Sequence, residues 1–153
     1  MDSGSGLKFI LAAQVVFLLI FLQGCSGFGN RIALFLEEGK IRDAARVYLD
    51  AEVKRDFMTV YTCLAPSSHY MAANPSYNDY LEEAKQSPVR IVDYKILSIS
   101  QLRDNHDPAK YPRIEKFVQV EVDVNLVKEG NKEQIPVNYS FTFIKEGGKW
   151  YKG

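Results

Sequence analysis

Val118-Gln119-Val120-Glu121-Val122-Asp123-Val124-Asn125-Leu126 alternates apolar and polar residues without a break. Successive side chains of a strand point to opposite faces, so this pattern predicts a strand with one buried and one wet face. Downstream, Glu129-Gly130-Asn131 predicts a turn, and Ile135, Val137, Tyr139, Phe141 and Phe143 form a second apolar row interleaved with Asn138, Ser140 and Thr142. Pro136 lacks an amide donor and marks that end as an edge or bulge. Gly147-Gly148 supplies the positive-φ residues of a tight hairpin into a last strand, Lys149-Trp150-Tyr151.

Upstream, Arg103 to Arg113 holds Asn105, Asp107, Pro108 and Pro112 and reads as a long connection. Val89 to Leu102 is apolar on both strand phases (Ile91, Val92, Tyr94, Ile96, Leu97, Ile99), which predicts a strand covered on both sides for part of its length. Before residue 88 the period changes. Ile41, Ala44, Ala45, Tyr48, Ala51 and Glu52 mark one face of a helix, with Arg42, Asp43, Arg46, Asp50 and Lys54 around its wetter side. Gly39 either starts or interrupts that helix. Asp56 is an N-cap candidate for a second helix buried through Phe57, Val60, Tyr61 and Leu64 and closed by Pro66. Ser67 to Asn74 reads as a connection, and Tyr77, Tyr80, Leu81 and Ala84 predict a third helix ending near Ser87-Pro88. Helices first and antiparallel strands after predict an α+β domain with helices packed on one face of the sheet.

The leader has a different character. Phe9 to Leu22 is an almost unbroken apolar run of about 14 residues, short of the roughly 20 a spanning helix needs, and it reads as a secretory h-region. It ends in Leu22-Gln23-Gly24-Cys25, which resembles the lipobox of bacterial lipoproteins: a branched apolar residue three places before the cysteine and a small residue directly before it. The resemblance implies signal-peptidase recognition at Leu22, Gln23 and Gly24, cleavage ahead of Cys25, and acyl chains such as palmitate on its thiol. Ser26 carries no acidic signal for inner-membrane retention, so an outer-membrane address is favoured if the envelope is Gram-negative. Residues 1–24 are thus expected to be a signal peptide, 25–39 a lipidated cysteine and flexible tether containing Gly27 and Gly29, and 40–153 the folded domain.

Two or three helices followed by a meander that closes on Phe143-Ile144-Lys145-Glu146-Gly147-Gly148-Lys149-Trp150-Tyr151 resemble the NTF2-like (SnoaL-like, cystatin-like superfamily) domains of small bacterial lipoproteins. Tyr48-Leu49 running into Lys54-Arg55-Asp56, Val60-Tyr61 to Leu64-Ala65-Pro66, and Tyr80-Leu81 ahead of a strand carry the likeness, which covers residues 40–152. It implies a sheet curled around a helix to leave a conical pocket. Members use that pocket for catalysis, ligand binding or dimerisation, so fold alone does not select among them.

Tyr48, Tyr61, Tyr94, Tyr139 and Trp150 are the candidate pocket aromatics. Asp93, on the phase of Ile91 and Leu97, is the one carboxylate whose phase allows it to face inward. The family's dehydratases and isomerases place an Asp, or a His and Asp pair, inside the cone. Here His69 and His106 fall in connections, and Glu121 and Asp123 on the phase opposite the valines, so no catalytic residue is assigned. No cofactor or metal is expected: the histidines form no ligand pair, and Asp104-Asn105-His106-Asp107 reads as a turn capping its own backbone. Cys63 has no partner for a disulfide once Cys25 is acylated and reads as a small buried hydrophobe. With 19 basic and 19 acidic residues interspersed along the chain, no basic stripe exists for nucleic acid. The expected partners are the membrane, through Cys25, and an envelope protein or small ligand, or a second copy in a homodimer. The expected function is an anchored, non-enzymatic binding module. A dehydratase- or isomerase-like enzyme and an assembly subunit of an envelope complex are the alternatives.

Overall fold

The computed structural model describes residues 26–73, 75–128, 130 and 133–153. Leu22, Gln23, Gly24 and Cys25 lie outside the described residues. The elements are α1 (Ser26–Lys54), α2 (Phe57–Cys63), α3 (His69–Ala73), α4 (Tyr77–Gln86), β1 (Val89–Asp104), β2 (Ile114–Lys128), β3 (Gln134–Glu146) and β4 (Lys149–Lys152). Four antiparallel strands in the order β1-β2-β3-β4 make a curved open sheet, so the class is α+β with helices leading. The chain divides at Phe35, and residues 36–153 form one compact unit. Among the described residues no helix is long and apolar enough to cross a membrane.

Helix α1 is held by one face. Ile41, Ala45, Tyr48 and Leu49 recur at helical spacing and are all buried, while Asp43, Arg46 and Asp50 are exposed. The helix passes through Gly39, whose missing Cβ would meet nothing within 4 Å. An interior glycine costs about 1 kcal/mol relative to alanine, and burial from Ile41 onward offsets it. Residues 26–39, read from sequence as a tether, are helical throughout. Arg55, with φ 55°, ends the helix in the left-handed region. There Arg55 N donates to Glu52 O (3.1 Å) and Asp56 N to Ala51 O (2.9 Å), the paired bonds of a Schellman motif. Asp56 then caps α2 by accepting from Thr59 N (3.2 Å).

Part of the expected connection 67–74 is the short helix α3. Ser68, 7% exposed, starts it by accepting from Met71 N through its hydroxyl (3.2 Å). Ser76 caps α4 in the same way, accepting from Asp79 N and donating to Asp79 Oδ2 (2.6 Å).

Register settles the faces of the sheet, because directly opposed residues share one. Val118, Val120, Val122 and Val124 of β2 are at most 1% exposed and oppose Phe143, Phe141, Tyr139 and Val137 of β3. From β1 the same inner face receives Ile99, Ile96, Tyr94 and Ile91. Tyr48 closes this face from α1, edge-on to Phe141 and Phe143 with ring centroids 6.1 and 6.4 Å apart.

The expectation that β1 is covered on both sides needs correction. Register shifts between Ile91 and Asp93 and between Ile96 and Ser98 leave Val92 and Leu97 as extra residues. Each bulge switches the phase, so the apolar residues serve one face in turn. Leu97 is 40% exposed, and Leu102, 7% exposed, is the one buried hydrophobe of this edge strand. The outer face carries a smaller cluster of Ala65, Ile114 and Ile144 with Tyr111, Phe117 and Tyr151. Ala65 reaches it because Leu64 pairs in parallel with Lys152, and Ala65 N donates to Lys152 O (2.7 Å).

Candidate functional site

Glu52 follows Tyr48 by one helical turn, so α1 aims a carboxyl and a phenol in one direction. Lys152 opposes Phe143 in the β3–β4 pairing and therefore extends from the inner face. Tyr80 of α4, 6% exposed, stands against Tyr61, Tyr77 and Tyr70 at centroid distances of 5.4, 6.3 and 6.4 Å. These groups meet at a cavity of about 250 Å³ lined by Tyr48, Glu52, Ser68, Tyr70, Tyr80 and Lys152, with Val60 and Leu64 as apolar wall. A neighbouring cavity of about 280 Å³ shares Glu52, Tyr70 and Tyr80 and adds Phe57, Glu83 and Arg90. The volumes are small for ligand sites, but the composition of aromatic walls with a few convergent polar groups is typical of them.

Burial pushes the Glu52 carboxyl above its ordinary range, against a hydrogen bond from the Tyr48 hydroxyl and the nearby Lys152 charge, which act the other way. Burial also pulls the Lys152 ammonium below its ordinary range, while Glu52 opposes that shift. Tyr48 and Tyr80 are pushed well up, first by burial and then by the Glu52 charge, and Tyr70 is pushed up to about 12 for the same first reason. Among the described residues no ion pair joins Glu52 to Lys152. Lys152 Nζ donates to the Gly153 backbone oxygen and lies 5.6 Å from the centroid of the Phe141 ring. The arrangement offers a mostly desolvated acid and a mostly desolvated amine on one chamber, where each can accept or donate a proton or hold a polar group.

The six candidates from sequence are dispersed. Tyr48 lines the cavity. Tyr61 braces Tyr80 and donates to Pro75 O (3.2 Å). Tyr94 donates to Asp50 Oδ1 (2.6 Å), and burial with this bond pushes its phenol up to about 12. Asp93 is exposed on the polar face, where it accepts from Asn125 Nδ2 at 3.5 Å, because the bulge at Val92 takes it out of the phase of Ile91. Asp93 and Tyr94 line a separate groove with Asp123 and Asn138. Tyr139 is 42% exposed and stacks on Phe141 at 5.7 Å. Trp150 is buried, and its Nε1 donates to Glu37 Oε2 (3.0 Å).

His69 and His106 are exposed. Asn105 Nδ2 donates to Tyr111 O and Ile114 O (2.7 and 3.0 Å), and its Oδ1 accepts from Asp107 N (3.0 Å), so that turn caps its own backbone. Among the described residues no group of three or more His, Cys, Asp or Glu side chains is arranged to hold a metal. Half-buried Cys63 has a thiol pushed up chiefly by burial.

Glu52, Tyr70, Tyr80 and Lys152 are the site residues that sequence reading did not select. Glu52 had a signal: a carboxylate on the phase of Tyr48 and Ala45. No protein-family model and no curated protein matches the chain.

Proposed function

We propose that this protein is an envelope lipoprotein, cleaved ahead of Cys25 and acylated on it, whose NTF2-like domain binds a small ligand without transforming it. One observation carries the binding reading: Glu52 and Lys152 line a single tyrosine-walled cavity without forming an ion pair with each other. Each keeps an internal partner, the Tyr48 hydroxyl for Glu52 and the Gly153 oxygen for Lys152, and has hydrogen-bonding capacity left for a bound polar molecule. The anchor rests on Leu22-Gln23-Gly24-Cys25 behind its apolar run, and more than one acyl chain gives stable retention. The NTF2-like reading is supported by the helices-then-meander order and by a cavity on the inner face of the sheet.

The test is intact and native mass spectrometry of the protein purified from its own membranes. The expected denatured mass begins at Cys25 with two or three acyl chains, and the expected native spectrum carries a small-molecule adduct that Glu52→Gln weakens. A mass retaining residues 1–24 without lipid would remove the anchor. A bare native spectrum would remove the ligand.

The raised Glu52 carboxyl favours a second reading, an isomerase- or dehydratase-like enzyme with Glu52 as the proton-transfer group. Asp93, His69 and His106 give that reading no support, because all three are exposed. It requires turnover that Glu52→Gln abolishes while binding persists.

A further inference from the structure

We propose that the Glu52–Lys152 cavity takes a small zwitterion of the amino-acid kind, its carboxylate against the Lys152 amine and its ammonium against the Glu52 carboxyl. The proposal rests on the cavity being a ligand site, as argued above. Its basis is that opposite charges line one chamber of about 250 Å³ and are not joined to each other by an ion pair. A buried acid and amine in direct contact would compensate one another, driving the acid's affinity for protons down and the amine's up. Both are displaced in the opposite sense, as expected of charges too far apart to offset their own desolvation.

A molecule carrying one charge of each sign satisfies both groups at once, whereas a singly charged molecule offsets only one of them. Lys152 has donors to spare, since an ammonium carries three and the Gly153 oxygen takes one. The Tyr48, Tyr70 and Tyr80 rings bound the same chamber and supply aromatic surface of the kind that attracts an ammonium. The cavity size limits the molecule to a compact one. The adjoining chamber of about 280 Å³ shares Glu52, Tyr70 and Tyr80 with it.

The experiment uses the full lipidated protein in detergent, titrated calorimetrically with glycine, β-alanine and γ-aminobutyrate, and with propionate and propylamine as singly charged controls. At least one zwitterion is expected to bind about tenfold or more tightly than either control, with Lys152→Met and Glu52→Gln each removing that preference. The wild-type comparison stands even where a variant fails to fold. Equal binding of zwitterions and controls would overturn the proposal. So would no binding of any probe. In either case a small-molecule adduct in the native spectrum leaves the ligand-binding reading intact, and a bare spectrum takes both down together.

Discussion

Glu52 departs most from what its position on an apolar helical face leads one to expect, and its energetics have a definite sign. Its carboxyl is raised above the ordinary 4.5 chiefly by burial. Between its unfolded and folded values the native state therefore binds more protons than the unfolded chain. The stability it contributes is complete below pH 4.5 and is lost as pH rises through the folded value. Tyr48, Tyr80, Tyr70 and Lys152 surround it, and the first three stay protonated through that window. Glu52→Gln keeps the shape and removes the charge. The variant should be more stable than wild type at neutral pH and level with it below pH 4.5, by urea denaturation at each pH. A difference that does not change with pH would show that Glu52 does not titrate in this window.

At the scale of elements, β1 shows how a strand with apolar residues on both phases can still serve one face. The bulges at Val92 and Leu97 re-phase the strand twice, so that Ile91, Tyr94, Ile96 and Ile99 all oppose inner-face residues of β2. Leu97 then sits at a bulge, 40% exposed, on an edge strand. Substitutions at exposed sites usually change stability by less than about 0.5 kcal/mol. Leu97→Thr should fall in that range, whereas Val122→Thr, on a residue 0% exposed in the central row, should cost several times more. The comparison reads as two shifts in urea midpoint at unchanged slope. Equal and large losses would mean that a second apolar face covers β1.

In the molecule as a whole, what was legible from sequence was what short-range period controls. β2 is unbroken alternation, and the buried half of α1 is a clean helical stripe, so both were readable with their inner faces. The bulges of β1 were not, because neither Val92 nor Leu97 is a glycine or proline that marks one. The cavity was legible only in its α1 part, since Tyr70, Tyr80 and Lys152 reach Glu52 through tertiary packing of α3, α4 and β4. The same holds for the contact that closes the chain on itself. Glu37 of α1 accepts from Lys145 Nζ (2.6 Å) and Trp150 Nε1 (3.0 Å), joining α1 to the β3–β4 hairpin across more than a hundred residues. The Lys145 and Trp150 hydrogen bonds hold the Glu37 carboxyl below its ordinary 4.5. The unfolded chain therefore binds the extra proton, so this contribution is present above pH 4.5 and is lost as pH falls through the folded value. Glu37→Ala leaves an ammonium and an indole N–H without their acceptor, the side chain of Lys145 being only 14% exposed. The expected cost is about 1–3 kcal/mol at neutral pH, shrinking as the wild type is titrated into acid and its own carboxyl is neutralised. Urea midpoints for both proteins across the acid range check this. A gap that stays constant as pH falls would mean that Glu37 acts by packing and not by its charge.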